Sequence, residues 1–238
     1  MRSFGLSNNA LKIIACIAMF LDHLGYMIFP EALFLRAVGR LAFPIFAYML
    51  AEGCFYTRNK LKHFLLIFIL GIIMQMVLYL FTGITEFSIF LVFSASILII
   101  YLIDSIVDMY KEKYYCLMSC LVVVAIIVSL GFIFLELDKW VFFENYSLYG
   151  VFTPVLLYTI RRFLPQYQKL FMLLALSICT LLYCLYMQWS IAYFAFFAIP
   201  ILWMYNGNRG KWNLKYFFYI FYPVHIWLLQ IIAGSIYG

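Results

Sequence analysis

Charge is what this sequence has least of. Acidic and basic side chains together make up 11% of its 238 residues, whereas 68% are hydrophobic and 21% aromatic. A soluble domain carries an apolar share nearer ~45–50%, so that class is excluded. Also missing is any C-x-x-C pair. The six cysteines (Cys16, Cys54, Cys116, Cys120, Cys179, Cys184) lie in or at the edges of apolar runs with no histidine close in sequence, which supports neither a zinc site nor a disulfide framework. They read as small buried hydrophobes. The halves show no internal repeat, which weakens a transporter built from inverted repeats. No small-residue cleavage pattern follows the first apolar run, so it reads as a retained helix.

What is present is a series of apolar runs long enough to cross a bilayer, each needing about 20 residues. The pattern predicts helices over 10–29, 33–55, 63–82, 87–107, 114–134, 147–163, 168–187, 189–205 and 216–236. That describes an all-α polytopic bundle of about nine spans, one membrane domain over 1–238. Only Gln188-Trp189-Ser190 separates the seventh span from the eighth; if those two fuse, the count becomes eight. The segment 134–147 is amphipathic and aromatic, and is expected along the membrane interface.

The net charge of +6 follows from where the cations fall and signals no nucleic-acid partner. Basic groups (Arg58, Lys60, Lys62; Lys111, Lys113; Arg161, Arg162, Lys169; Arg209, Lys211, Lys215) occupy alternate connectors. The intervening ones carry Glu31, then Glu86, then Glu136, Asp138, Lys139 and Glu144. With nine spans, the positive-inside rule puts the N-terminus in the cytoplasm.

Against this background a few ionisable residues stand inside apolar spans, where they are costly and usually face the bundle interior. Asp22 and His23 lie in the run LKIIACIAMFLDHLGYMIF, Arg36 and Arg40 in the next span, and His225 in the last. Chemistry is expected among these five. Lys12 and His23, eleven residues apart, share a helix face about 16 Å apart along the axis. Lys12 either snorkels to the headgroups or serves that face. Asp22 points about 100° from His23, so a cation on another helix is its expected partner. The turn at Pro30 brings Arg36 and Arg40 close, either as a buried ion pair fixing register or as an anion site for a phosphate or carboxylate.

Glu52 has an interfacial pair with Arg58 and Lys60 as its default, with a catalytic role as the alternative. Asp104 and Asp108 read as a solvated helix end. His225 follows Pro223 and lies beside Tyr222. It either donates to the carbonyl that proline frees one turn back or faces a site shared with His23, where an imidazole can exchange a proton near neutral pH.

The stretch LKIIACIAMFLDHLGYMIFP…LRAVGRLAFPIFAYMLAEGCFYTRNKLKHF closely resembles the N-terminal signature of the TraX family of F-pilin acetylase-like membrane proteins. The tail FYIFYPVHIWLL is similar to that family's C-terminal signature. The likeness is specific over about residues 9–64 and 216–229, and elsewhere rests on hydropathy. A fainter likeness connects Lys12, ten residues, His23 and the later Arg36 and Arg40 to transmembrane acyltransferases of surface glycans, which carry Arg in the first position.

The resemblance implies a bacterial plasma-membrane enzyme taking acetyl groups from cytoplasmic acetyl-CoA, without a metal, and passing them to an amine or hydroxyl of a peptide, pilin N-terminus or glycan. His23 would act as general base with Asp22, Arg36, Arg40 and His225 around it. Lys12, Glu52 and Tyr222 are the candidates for the donor side. A proton-coupled small-molecule transporter and a non-catalytic membrane scaffold are the competing readings.

Overall fold

The structure, a computed structural model, describes residues 5–82, 88–111, 147–212 and 214–237. The span expected at 114–134, the amphipathic segment at 134–147 and Glu86 lie outside those residues. Among the described residues no strand occurs; the elements are helices. Six helical spans, counting Leu33–Tyr56 as one, are long and apolar enough to cross a membrane.

Helix α1 (Asn8–Met27) starts where Ser7 accepts a hydrogen bond from the Ala10 amide at 3.3 Å. Its first amides are also met from outside: Asn8 N donates to the Asn208 carbonyl at 2.8 Å and Asn9 N to the Arg209 carbonyl at 3.2 Å. Gly207 and Gly210, at φ +77° and +95°, give that loop the left-handed turns it needs. The start of α1 is therefore closed by loop carbonyls.

The second predicted span is interrupted. It consists of α2 (Leu33–Gly39) and α3 (Ala42–Tyr56), with a turn at Arg40 and Leu41. Pro44 explains the break, because it has no N–H to give to the carbonyl of Arg40 four residues back. Helices α4 (Lys60–Thr82), α5 (Ile89–Lys111), α6 (Ser147–Phe163) and α7 (Gln168–Met187) follow.

The span expected at 189–205 is instead a 3-10 helix, Ser190–Phe197, running into a short α8 (Ala198–Trp203). The buried residues Ala192, Ala195 and Ala198 recur every third position, which is the period of a 3-10 helix and not of an α-helix. With a rise of ~2 Å per residue the 3-10 portion lengthens this 14-residue segment to about 25 Å if straight. The last helix, α9 (Lys215–Tyr237), contains Pro223.

The chain divides into two compact units, residues 1–50 with 163–238, and residues 51–162. In the first, α1 packs on α2 and α9, α2 on the 3-10 helix, and the 3-10 helix on α7. Glycine sets the closest approach. A Cβ at Gly39 would fall inside the Asp22 side chain, and one at Gly25 would meet Leu35 Cβ at 2.9 Å. Small residues at helix contacts are how membrane helices come close enough to gain dispersion energy. In the second unit α4 packs on α5 with Gly71 against Leu91, and Ser96 on α5 donates to the Val151 carbonyl of α6 at 2.9 Å.

Candidate functional site

The first unit gathers most of the ionisable residues expected from the sequence. Asp22 on α1 accepts from Arg40 Nη2 at 2.5 Å and faces Arg36 Nε at 3.6 Å. The turn that ends α2 puts the Arg40 guanidinium there, and Gly39 lets the backbones close on it. All three side chains are 14–18% exposed. Two aromatic faces cover the guanidiniums. Trp189 lies 5.5 Å from Arg36 and 5.2 Å from Arg40, and Tyr26 lies 5.0 Å from Arg36. The Tyr183 hydroxyl of α7 is in hydrogen-bonding reach of Arg40. One carboxylate thus braces two planar cations between aromatic rings.

His23 is adjacent in sequence but directed elsewhere. Its Nδ1 lies 2.9 Å from the Met19 carbonyl and 3.1 Å from His225 Nε2, with ring centroids 5.0 Å apart. His225 has its own Nδ1 2.8 Å from the Phe221 carbonyl, and its ring stacks on Phe221 at 4.9 Å. Of the two readings of His225, the one that faces it to His23 fits this geometry, and the carbonyl reading is corrected. The carbonyl it meets is that of Phe221, four residues back, and not that of Tyr219, one turn before Pro223. In a helix the i−4 carbonyl lies directly under the side chain that reaches for it, whereas Tyr219 is six residues away.

Tyr222 sits edge-on to both imidazoles, 6.4 Å from His23 and 5.6 Å from His225. Lys12 lies on the same side of α1 as His23, its ammonium 5.6 Å from the Phe218 ring of α9. His225 is 3% exposed and His23 is half-buried.

Glu52 makes its contacts in the second unit. The expected pairing with Arg58 and Lys60 is corrected: Glu52 is 2% exposed and bonds to Arg161 Nη1, and the second terminal nitrogen of Arg161 donates to Tyr56 at 2.8 Å. The Arg161 guanidinium also covers the Phe55 ring at 4.4 Å.

Asp104 is corrected as well. It is no solvated helix end but a buried acceptor for the Tyr158 hydroxyl at 2.5 Å and Lys60 Nζ at 2.7 Å, with Arg162 Nε at 3.8 Å. Asp108 is exposed and takes Arg162 Nη2 at 3.3 Å. The sequence reading also passed over His63, whose Nδ1 lies 2.7 Å from the Tyr101 hydroxyl. Partners 54 or 109 residues apart leave no local spacing to detect. Trp189, in contrast, stood in the connector Gln188-Trp189-Ser190, whereas no spacing marked Gly25 or Gly39 as points of close approach.

Among the described residues no group of three or more His, Cys, Asp or Glu is placed to hold a metal. Comparison with known proteins gives a family match over residues 7–233, to the family described as TraX protein. Two curated relatives are each 37% identical over short stretches. An uncharacterized protein of Rickettsia prowazekii matches over 67 residues, 28% of this chain and 25% of its own length. A protein of Dichelobacter nodosus, described as a probable fimbrial assembly protein, FimC of serogroup H1, matches over 78 residues, 31% of this chain and 32% of its own. The chain thus spans between a quarter and a third of the relatives it matches. No solved structure matches.

Proposed function

Because the chain belongs to the TraX family over nearly its whole length, we propose that it is a membrane-embedded acetyltransferase moving an acetyl group from acetyl-CoA to an amine or hydroxyl acceptor. One observation carries this reading. A half-buried imidazole, His23, stands in hydrogen-bonding contact with a buried one, on a helix that also carries a carboxylate bracing two arginines.

Acyl transfer needs a base to deprotonate the acceptor as it attacks, and His23 fits that need without a nucleophilic Ser or Cys. It also needs donors where negative charge grows on the acyl oxygen, and fixed guanidiniums in a site of low dielectric serve that purpose. Asp22 keeps Arg36 and Arg40 oriented for it. Lys12 and Tyr222 line the same face as the imidazoles and would contact the donor or acceptor. Glu52, paired with Arg161, is better suited to holding helices than to holding CoA.

The protein would reside in a bacterial plasma membrane with its basic connectors in the cytoplasm, where acetyl-CoA is found. A peptide or pilin N-terminus is the favoured acceptor, with a surface glycan second, in keeping with the fimbrial description of the Dichelobacter relative. The paired imidazoles would equally serve a proton relay in a transporter, so the test must separate the two. Purified protein in nanodiscs, given acetyl-CoA and candidate acceptors, is expected to release free thiol in an acceptor-dependent way. The His23→Ala protein is expected not to. Equal rates in the two would remove His23 from the mechanism, and flux driven by a pH gradient in proteoliposomes without any CoA binding would replace the enzyme with a transporter.

A further inference from the structure

We infer that His225 is the positioning partner of His23. Its bare Nε2 shares the proton on His23 Nδ1, which leaves Nε2 of His23 as the nitrogen that takes the acceptor's proton. The inference rests on the acetyl-transfer reading for its chemistry, but the proton positions follow from the geometry of two neutral rings.

Each imidazole places Nδ1 against a main-chain carbonyl, Met19 O at 2.9 Å for His23 and Phe221 O at 2.8 Å for His225. A carbonyl oxygen can only accept, so a bare Nδ1 in either place would set two lone pairs against each other at hydrogen-bond distance. Both Nδ1 atoms therefore carry hydrogen. A neutral imidazole has one N–H, so His225 Nε2 is an acceptor. It lies 3.1 Å from His23 Nδ1. The His23 Nδ1–H is then shared between the Met19 carbonyl and His225 Nε2.

The reverse arrangement, with His225 Nε2–H donating to a bare His23 Nδ1, fails at both carbonyls. A doubly protonated His225 still leaves His23 Nδ1 opposed to Met19. What remains is His23 Nε2, an unprotonated nitrogen with no hydrogen bond to any described residue.

The division of labour resembles that of a triad, with a neutral imidazole in place of the orienting carboxylate. As the acceptor's O or N forms its bond to the acyl carbon, its proton passes to His23 Nε2. The Nδ1–H bond to His225 then becomes charge-assisted and holds the imidazolium where it formed. Collapse of the tetrahedral adduct breaks the C–S bond, and the same proton leaves Nε2 for the thiolate. The products are acetylated acceptor and CoA thiol, with His23 neutral again. His225 keeps its proton on Nδ1 throughout. Stacking on Phe221, an edge contact with Tyr222 and a tilted contact with Phe20 hold its ring for the task.

The chain has three histidines, so the experiment is tractable. Full-length protein labelled with 15N-histidine, in lipid bilayers, is examined by magnetic resonance, with His63→Gln to remove the third signal. The expected result is hydrogen on Nδ1 of both His23 and His225, and a coupling across the Nδ1–H···Nε2 bond between them. Hydrogen on Nε2 of His23 overturns the inference whether or not the protein acetylates anything. If the protein has no transferase activity, the acetyl-transfer reading falls, while the spectrum still decides the proton positions.

Kinetics supply the second arm. His225→Phe removes the acceptor and is expected to lower kcat by about 10–100-fold with little change in KM, the scale on which losing a group that orients a functional histidine acts. His225→Gln restores an acceptor oxygen and is expected to regain most of that loss. Equal loss in the two variants would reduce His225 to packing and overturn its positioning role.

Discussion

The two polar clusters of this chain differ in how their charges are matched. In the second unit three acids, Glu52, Asp104 and Asp108, meet three bases, Lys60, Arg161 and Arg162, and tyrosine hydroxyls fill the remaining bonds. Such a set ties α3, α4, α5 and α6 together and has little charge left for a ligand. In the first unit one carboxylate faces two arginines, beside two imidazoles of which one, among the described residues, keeps a nitrogen without a hydrogen bond. Residues 1–50 and 163–238 contain one other acid, Glu31, which is exposed at a turn. The second cluster has the make-up of a clamp, whereas the first holds the imidazole pair on which the proposed transfer depends.

That contrast breaks most visibly on the two single losses that should hurt most. His23→Ala is expected to cut acetyl transfer by about 10²–10⁴-fold, the usual contribution of general base catalysis, with the unfolding temperature unchanged. Arg161→Ala is expected to do the opposite. Leaving Glu52 buried and unpaired costs about 3–5 kcal/mol of stability, while replacing both partners with apolar groups is near neutral. Thermal unfolding in detergent of Arg161→Ala beside the double variant Glu52→Leu, Arg161→Met reads this directly. An Arg161→Ala protein as stable as the parent would mean that the second cluster is not a clamp.

The next test lies at a contact between helices. Gly39→Ala forces a methyl into the space of the Asp22 side chain, and overpacking of this kind costs about 1–3 kcal/mol. Because Asp22 would have to turn away from Arg40, transfer should fall along with stability. Gly53→Ala is the control: nothing lies within 4 Å of a Cβ there, and alanine in a helix interior is favoured over glycine by up to ~1 kcal/mol. A neutral Gly39→Ala would show that Asp22 is not held as described.

Much of the first cluster was legible because its geometry is local. Helical spacing puts Lys12 and His23 on one face, and a short turn at Pro30 returns Arg36 and Arg40 to Asp22. The meeting of His23 with His225 was one of two readings, and nothing in the spacing chose between them. The second cluster was not legible. Glu52 and Arg161 are 109 residues apart, and Asp104 and Tyr158 are 54 apart, so nearby cations such as Arg58 and Lys111 offered themselves first. Backbone irregularities were also hidden under uniform hydropathy. Apolar content gives length but not pitch, and the three-residue spacing of Ala192, Ala195 and Ala198 carries the 3-10 signal that hydropathy alone does not. The break at Arg40 has Pro44 behind it, but Pro223 lies inside an unbroken α9, so a proline alone does not announce a break.

The smallest effect concerns Trp189, which joins the arginines to the connector before the 3-10 helix. Its indole faces both guanidiniums, and a cation over an aromatic face is worth about 0.5–2 kcal/mol depending on desolvation. Two substitutions separate the π contribution from bulk. Trp189→Phe keeps an aromatic face, and Trp189→Leu keeps apolar volume without one. If the ring orients Arg36 and Arg40, the leucine variant should lose up to about tenfold in kcat/KM while the phenylalanine variant loses less, since tenfold corresponds to about 1.4 kcal/mol. Both should unfold at nearly the parent temperature, because the fit against α2 is retained. Equal kinetics for phenylalanine and leucine would leave Trp189 as packing alone. The orientation of the guanidiniums would then rest on Asp22 and Tyr183, and the first cluster would depend on its single carboxylate even more heavily than the second does on any of its three.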